Sequence, residues 1–439
     1  MRPAQPNHCV VIGAGVLGAS VAARLAGAGA EGGARAGAED GADDRAQTRV
    51  TLLDQDQPGR ATSRWSFAWV NSNDKAPRPY HDLNHAGIRA WAELAPGLDG
   101  PAWYRPTGNL ELATDAPELA ARVRRLTDWG YPARLVDPAE ATELEPSLQP
   151  PAPETAAAWF PDEAYLLTEP LIDRLVKSAT AHGATVLTGD RGRVTALSEG
   201  CVRTADGAEH RADAIVCCAG RWTPDLAAQA GPTSAAQAGP TSAAQAGPTS
   251  ASQAGPTSAA QASDSPRTPI PLVNWDTPGA TAPGLVVRVG PITPQGPKRL
   301  IHTPQLALRP HSGRLLHLEA PDAAVDLHTP DPELRRWAAE LLHRARRTVR
   351  GLDHATVVDY KVCVRPMPAD GQSIVGRLPG AESIYIAVTH SGVTLAARLS
   401  RLIATELTTG NEVAELAPFR PGRFTEDASP RRARKVERS

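Results

Sequence analysis

The sequence predicts an α/β protein of two domains, one on a mostly parallel sheet and the other an α+β unit on an antiparallel sheet. Three observations carry this reading. A strand, a glycine turn, a helix and a second strand open the chain in the order of a parallel α/β unit. Further apolar runs of strand length at Thr185, Ala214 and Ser383 each adjoin a helical pattern or a glycine turn. At 439 residues, 41% hydrophobic and 21% charged, the chain can bury two cores of ordinary size.

The elements follow in order. His8 to Ile12 reads as the first strand, Val16 to Gly27 as an alanine-rich helix, and Val50 to Leu53, ending at Asp54, as the second strand. Residues 30–48 between them are Gly, Ala, Glu and Asp with almost no large apolar side chains. They cannot offset their ordering entropy and are expected to form a disordered insertion. Leu171 to His182 has helical spacing and Thr185 to Leu187 is a strand. Val194 to Leu197 and Cys201 to Thr204 flank Glu199-Gly200 as a hairpin, and Ala214 to Ala219 is a buried strand ending at Gly220. An octapeptide, Gln-Ala-Gly-Pro-Thr-Ser-Ala-Ala, then recurs with small variations at Gln229, Gln237, Gln245, Gln253 and Gln261. With Gly-Pro in each unit and only alanine as apolar surface it cannot stack into a core, so residues 229–266 are expected to be a flexible loop. Strand candidates Leu285 to Val289 and Arg314 to Leu318 precede a helix from Pro332 to Arg350. Ser383 to Val388 is a strand leading through a glycine turn to a helix from Val393 to Leu407, and the basic tail 426–439 is expected to be solvated. This interleaving assigns 1–80, 150–228 and 360–425 to a discontinuous nucleotide-binding domain and 81–149 with 268–359 to a substrate domain.

Charge and cysteine usage exclude several classes. Lys+Arg 46 against Asp+Glu 48 leaves a formal net charge of -2, with no basic excess to hold a phosphate backbone, so nucleic acid is not an expected partner. The first apolar stretch, Cys9 to Gly18, lacks the flanks of a signal peptide, and no apolar run reaches transmembrane length. The five cysteines, Cys9, Cys201, Cys217, Cys218 and Cys363, are odd in number and scattered without zinc-type spacing. A cytoplasmic location, no disulfide framework and no metal site are therefore expected.

Gly13-Ala14-Gly15-Val16-Leu17-Gly18 follows the first strand directly and opens the helix, the context a dinucleotide fingerprint requires. Gly13 permits the tight turn, Gly15 lets the backbone approach a pyrophosphate, and Gly18 allows close helix packing. The helix N-terminus at Val16 and Leu17 supplies donors and partial positive charge. Asp54 ends the second strand, and removing the polar insertion brings it to the usual spacing for a ribose-binding acid. The domain is thus Rossmann-like, and NADP is disfavoured by the carboxylate. The fingerprint alone does not separate NAD from FAD.

Other segments carry a resemblance. Thr62-Ser63-Arg64 within Gly59 to Trp69, Ala219-Gly220 with Trp222, and Thr389-His390-Ser391-Gly392-Val393-Thr394 opening a late helix occur in family order. With the fingerprint, they make the chain similar to the D-amino acid oxidase superfamily, which includes glycine oxidase, sarcosine oxidase and D-amino acid dehydrogenases. The resemblance spans most of the chain outside the two low-complexity segments. It implies a GR2-type FAD-binding domain holding FAD non-covalently. The implied cofactor contacts are Asp54 with Gln55, Thr62, Ser63 and Arg64 at the pyrophosphate and flavin edge, Val194 at adenine, Ala219, Gly220 and Trp222, and Ser391, Gly392, Val393 and Thr394 beside the flavin. Taken singly, Thr62 to Ser66 also reads as a polar loop and Ser391 to Thr394 as an ordinary cap. Trp65 and Trp69 read as core or pocket wall.

The implied reaction is oxidation of a small amino acid or amine at its C–N bond, by hydride transfer to flavin N5 with oxygen or a quinone-type carrier as acceptor. Arg365, in Arg365-Pro366-Met367-Pro368-Ala369-Asp370-Gly371, matches the family arginine that grips a substrate carboxylate. A structural pairing with Asp370 is the alternative. The family tyrosine before a Gly-Arg-Leu strand is absent from Leu306-Ala307-Leu308-Arg309, leaving Arg309 or His311 as replacements or surface residues. His390 is a candidate base or a structural histidine. Oxidation of a hydroxy acid at a C–O bond, or a non-catalytic flavoprotein subunit, remain alternatives.

Overall fold

The run from His8 to Ile12 is buried at every position, as a strand covered on both faces must be. It lies inside a six-stranded sheet ordered Ile374–Leu378, Ala381–Val388, Ala214–Cys217, His8–Ile12, Arg49–Leu53 and Thr185–Leu187. Five of these strands run parallel and Ile374–Leu378 is an antiparallel edge. The computed structural model describes residues 6–27, 48–152, 155–230 and 270–424.

Helices Val16–Leu25, Thr168–Ala181 and Gly392–Thr409 pack together over this sheet. Helix Arg78–Leu94, absent from the sequence reading, lies against Gly392–Thr409, where Trp91 Nε1 donates to Val393 O at 2.8 Å. A short hairpin, Val194–Ser198 with Cys201–Thr204, is extended by Glu209–Arg211 into a separate three-stranded antiparallel sheet.

The second large sheet has eight strands in the order Thr356–Val364, Pro283–Gly290, Leu315–Glu319, Leu306–His311, Leu300–Thr303, Asn109–Ala113, Ala156–Phe160 and Arg134–Val136. Its neighbours are antiparallel except Leu300–Thr303 with Asn109–Ala113, which run parallel. Helix Asp331–Thr348 covers one face through Ala338, Leu341, Leu342 and Ala345, giving an α+β unit with its own core. The observed architecture is the mixed α/β arrangement expected from sequence.

Some expected boundaries fall inside elements. Helix Arg78–Leu94 crosses the boundary at residue 80, and strand Thr356–Val364 crosses that at 359. Ala156–Phe160, expected in the nucleotide-binding part, pairs with Asn109–Ala113 in the other sheet. Residues 30–47, 231–266 and 426–439 of the expected insertion, octapeptide loop and tail lie outside the described residues. The edges of these segments are corrected, because burial and pairing hold them. Thr48 is buried and its hydroxyl donates to Pro6 O at 3.0 Å. Gln229 closes helix Thr223–Gln229, and its Oε1 accepts from Leu197 N at 3.2 Å. All five cysteines are free thiols. Among the described residues, no helix is long and apolar enough to cross a membrane.

Candidate functional site

A cavity of about 1170 Å³ extends from the carboxyl ends of the parallel strands, at Ile12, Leu53 and Val388, to the face of the eight-stranded sheet at Val286, Ala307 and Glu319. In an open α/β sheet this is where a ligand is received. The glycine turn forms one wall. Gly13 has φ +95, where a side chain is strained, and a Cβ there would lie 2.5 Å from Cys218 O. Gly18 does not line the cavity; a Cβ on it would lie 1.8 Å from Gly13 O, so its place is in helix packing, as the fingerprint requires. Gly15, Val16 and Leu17 do line it.

Asp54 ties the second strand to this turn. Its Oδ2 accepts from Ala14 N at 2.6 Å and its Oδ1 from Asp56 N at 2.9 Å. Burial pushes its carboxyl above the ordinary value, against these two bonds, which favour the ionised form. Gln55 lies beside it on the cavity wall. Ser63 Oγ accepts from Val16 N at 3.0 Å, joining the 62–69 segment to the helix N-terminus, and Thr62 Oγ1 donates to Val364 O at 2.8 Å. Arg64 departs from its expected place: its guanidinium turns to Glu169 at 3.1 Å and it does not line the cavity. Val194, Ala219, Gly220 and Trp222 line the cavity, and so do Ser391, Gly392, Val393 and Thr394. There Ser391 Oγ accepts from Tyr80 OH at 2.9 Å, and the helix begins at Gly392.

Two rows of the eight-stranded sheet complete the site. Val286, Glu319 and Ala307 are cross-strand partners and all line the cavity. The next row is Arg288, His317 and Arg309, all buried. Arg288 Nη2 donates to Arg64 O at 3.1 Å, and Arg309 Nε donates to Phe67 O. Their guanidinium groups meet the two nitrogens of His317 at 2.8 Å each. This row therefore fixes the backbone of the 62–69 segment from below. Arg309 is 1% exposed, and burial lowers it to about 9. His311 stacks on His317, with ring centroids 4.2 Å apart. Neither Arg309 nor His311 lines the cavity, so neither replaces the missing tyrosine there.

Arg365 does line the cavity. Its backbone N and its Nε both donate to Ala282 O, at 3.3 and 3.2 Å, and its Nη1 lies 3.8 Å from Glu319 Oε1. The alternative pairing with Asp370 does not occur, because Asp370 is taken by Arg423 at 2.8 and 3.2 Å. His390 lines the cavity as a neutral ring, lowered to about 3 by burial first and then by Lys75 and Arg365.

Several contributors carry no local sequence signal. Trp69 packs on His302 with centroids 4.0 Å apart and the rings tilted by 31°, and its Nε1 donates to the fully buried Glu163 at 2.8 Å. Tyr131 OH donates to the same carboxyl at 2.7 Å. These partners lie far apart in the chain, and only the folded sheet brings them together.

The turn, the acid at the second strand and the cavity between two sheets define a dinucleotide-binding architecture. The residues suit a flavin dinucleotide. A Cβ on Gly15 would come within 3.1 Å of Ser63 Oγ and fill the gap between the glycine turn and the 62–63 segment, where a pyrophosphate is held in such turns. The family model of FAD-dependent oxidoreductases named DAO matches residues 8–406, and the chain belongs to this family.

Glycine oxidase from Geobacillus kaustophilus is 24% identical over 323 residues, 71% of this chain and 72% of that protein. Its crystal structure superposes with a TM-score of 0.68 at 20% identity, covering 94% of this chain and 98% of the other. A structure of L-proline dehydrogenase from P. horikoshii gives a TM-score of 0.71 at 16% identity, over 96% and 98%. The tRNA 5-methylaminomethyl-2-thiouridine biosynthesis bifunctional protein MnmC of Cupriavidus metallidurans is 33% identical over 170 residues. That match spans 36% of this chain and only 22% of the relative.

Proposed function

We propose that this protein oxidises the C–N bond of a small amino acid or amine carboxylate, with Arg365 holding the carboxylate beside a non-covalently held FAD. The supporting observation is the position of Arg365. Its Nε is anchored on Ala282 O while the side chain forms part of the cavity wall. A guanidinium fixed along one edge suits bidentate recognition of a carboxylate. The names of two similar proteins, glycine oxidase and L-proline dehydrogenase, favour an amino acid over other substrates.

FAD, when bound, supplies the hydride acceptor. The chain's own residues bind and orient. Gly13, Gly15, Val16, Leu17, Thr62 and Ser63 would hold the pyrophosphate region, and Asp54 with Gln55 the ribose. Val194, Ala219, Gly220 and Trp222 would meet the adenosine end, and Ser391, Gly392, Val393 and Thr394 the flavin. Arg64 drops out of this set, since its guanidinium pairs with Glu169 and its backbone N and O are bonded to Gly59 O and Arg288. His390, a neutral ring at the flavin turn, is a hydrogen-bonding group rather than a charged one. Non-covalent attachment is supported by Cys363, whose thiol burial raises to about 12 and which is therefore a poor nucleophile at neutral pH. A cytoplasmic setting agrees with five unpaired thiols.

The test is anaerobic reduction of the bound flavin by glycine, N-methylglycine and D- and L-alanine. Arg365→Ala is expected to retain FAD and lose reduction by carboxylate-bearing substrates. Unchanged reduction kinetics in that variant would remove Arg365 from the site.

A further inference from the structure

One cation of the cavity wall has no part in the assignments above. Arg221 stands between Gly220 and Trp222, and it lines the cavity. Its guanidinium carbon lies 4.2 Å from the ring centroid of Trp222 and 4.9 Å from that of Trp275. Packing of this kind covers the flat of a guanidinium and leaves its N–H donors pointing outward in the plane. Among the described residues Arg221 forms no ion pair and no side-chain hydrogen bond, and its Nε is buried without a partner. Asp276, an exposed residue, acts on it by charge without contact. A half-buried cation in that condition is costly until an anion joins it.

The surroundings of Arg221 indicate which anion. Its neighbour Ala219 packs on the glycine turn, with Cα 3.2 Å from the place a Cβ on Gly13 would take. On the other side lies Cys363, whose thiol feels the charge of both Arg221 and Arg365 and whose Sγ is 3.7 Å from Thr62 O. Arg221 is thereby placed beside both walls of the gap between the glycine turn and the 62–63 segment. The glycine turn and the helix N-terminus bring backbone donors and partial positive charge to that gap, but no full cation. Arg64, the arginine expected there, is paired with Glu169. Of the other cations lining the cavity, Arg365 is anchored on Ala282 O, and Lys75 acts on His390 at the flavin turn. We infer that Arg221 is the counter-cation of the FAD pyrophosphate, a cofactor-binding residue whose planar fork takes two oxyanion oxygens. The consequence is selectivity. A flavin without the pyrophosphate gains nothing from this arginine, so Arg221 favours the dinucleotide over the bare flavin.

This inference rests on the FAD site proposed above, and the experiment separates the two. Apoprotein prepared from the full-length holoprotein is titrated with FAD and with riboflavin, and dissociation constants are read from flavin fluorescence. Arg221→Gln is expected to weaken FAD by at least ~10-fold, the size of one lost charge-assisted contact, and to leave riboflavin unchanged. Arg221→Lys, which keeps the charge and loses the fork, is expected to lose less. Arg221→Met keeps an aliphatic stem against the indoles and carries the same expectation as the glutamine variant should that protein fail to fold. In parallel, holoprotein is titrated anaerobically with glycine and with D- and L-aspartate, read by flavin absorbance, and Arg221→Gln is expected to shift none of these relative to another. Unchanged FAD affinity in the glutamine and methionine variants overturns the inference. An equal loss of FAD and riboflavin overturns it too, because the side chain would then act through the fold. A selective loss of aspartate with FAD binding intact assigns Arg221 to a second carboxylate of the substrate and also overturns it. A wild type that binds no FAD sinks the cofactor site beneath it.

Discussion

Glu163 offers a prediction that can be worked through from the structure. The side chain is fully buried, and burial raises its carboxyl from an ordinary 4.5 to about 8. Its two oxygens meet Trp69 Nε1 at 2.8 Å and Tyr131 OH at 2.7 Å, directly behind a residue of the cavity wall. Between pH 4.5 and about 8 the folded protein therefore keeps a proton that the unfolded chain has released. The folded state binds more protons in that window, so stability falls as pH rises through it and is constant outside it. At about 1.4 kcal/mol per pKa unit, the loss amounts to ~4–5 kcal/mol. Glu163→Gln keeps the shape and a hydrogen-bonding group at each position while removing the titration. Urea unfolding followed by circular dichroism at pH 5, 7 and 9 provides the assay. The wild type should lose stability across the series and the variant much less, with the variant ahead by ~4 kcal/mol at pH 9. Parallel curves for the two proteins would mean that the carboxyl is ionised in the fold, and the reasoning would fail.

Three further outcomes follow from the same structure. Asp54→Asn should weaken FAD about tenfold, from loss of roughly 1.5 kcal/mol of charge-assisted bonding, and leave riboflavin unaffected, as read by flavin fluorescence on adding either to apoprotein. His390→Asn should leave the shape of the pH profile for flavin reduction unchanged between pH 5 and 8, because the ring is already neutral there. Its depressed value, about 3 against 6.5, makes the wild type lose stability as pH falls through that interval, a loss the variant should lack. Arg309→Met leaves Phe67 O without its buried donor and should cost about 1–3 kcal/mol. It should also weaken FAD, because Phe67 belongs to the segment lining the cavity; unchanged melting temperature and FAD affinity would argue against that coupling.

What could be read from the amino acids depended on how local the determinant was. The strand at His8, the glycine turn, the helix and Asp54 were legible because each is fixed by a short run of residues with its own steric or periodic demand. Thr185–Leu187 and the hairpin at Glu199-Gly200 were legible for the same reason. Strand Thr356–Val364 escaped notice because it is an edge strand whose exposed positions include Asp359 and Lys361, so its pattern is not that of a buried strand. Helix Arg78–Leu94 does bury Tyr80, Leu83, Ile88 and Trp91 at helical spacing, but His81, Asn84 and Gly87 are buried among them and interrupt the apolar pattern. At the site, the glycine turn and Arg365 had recognisable neighbours in sequence. Glu319 looks like an acid ending an apolar strand, and Arg309 like a surface cation. Only the pairing register shows that one opens into the cavity and the other lies beneath the 62–69 segment.

The order of strands in the six-stranded sheet also governs how the molecule comes to be assembled. His8–Ile12 lies between Arg49–Leu53 and Ala214–Cys217, and the latter gains its other neighbour only from Ala381–Val388. During synthesis the apolar strand Ala214–Cys217 must therefore wait for some of the last residues of the fold before its outer edge is covered. A chain interrupted between these segments would present an unpaired apolar edge, a template for aggregation, so neither sheet can be excised as a contiguous fragment.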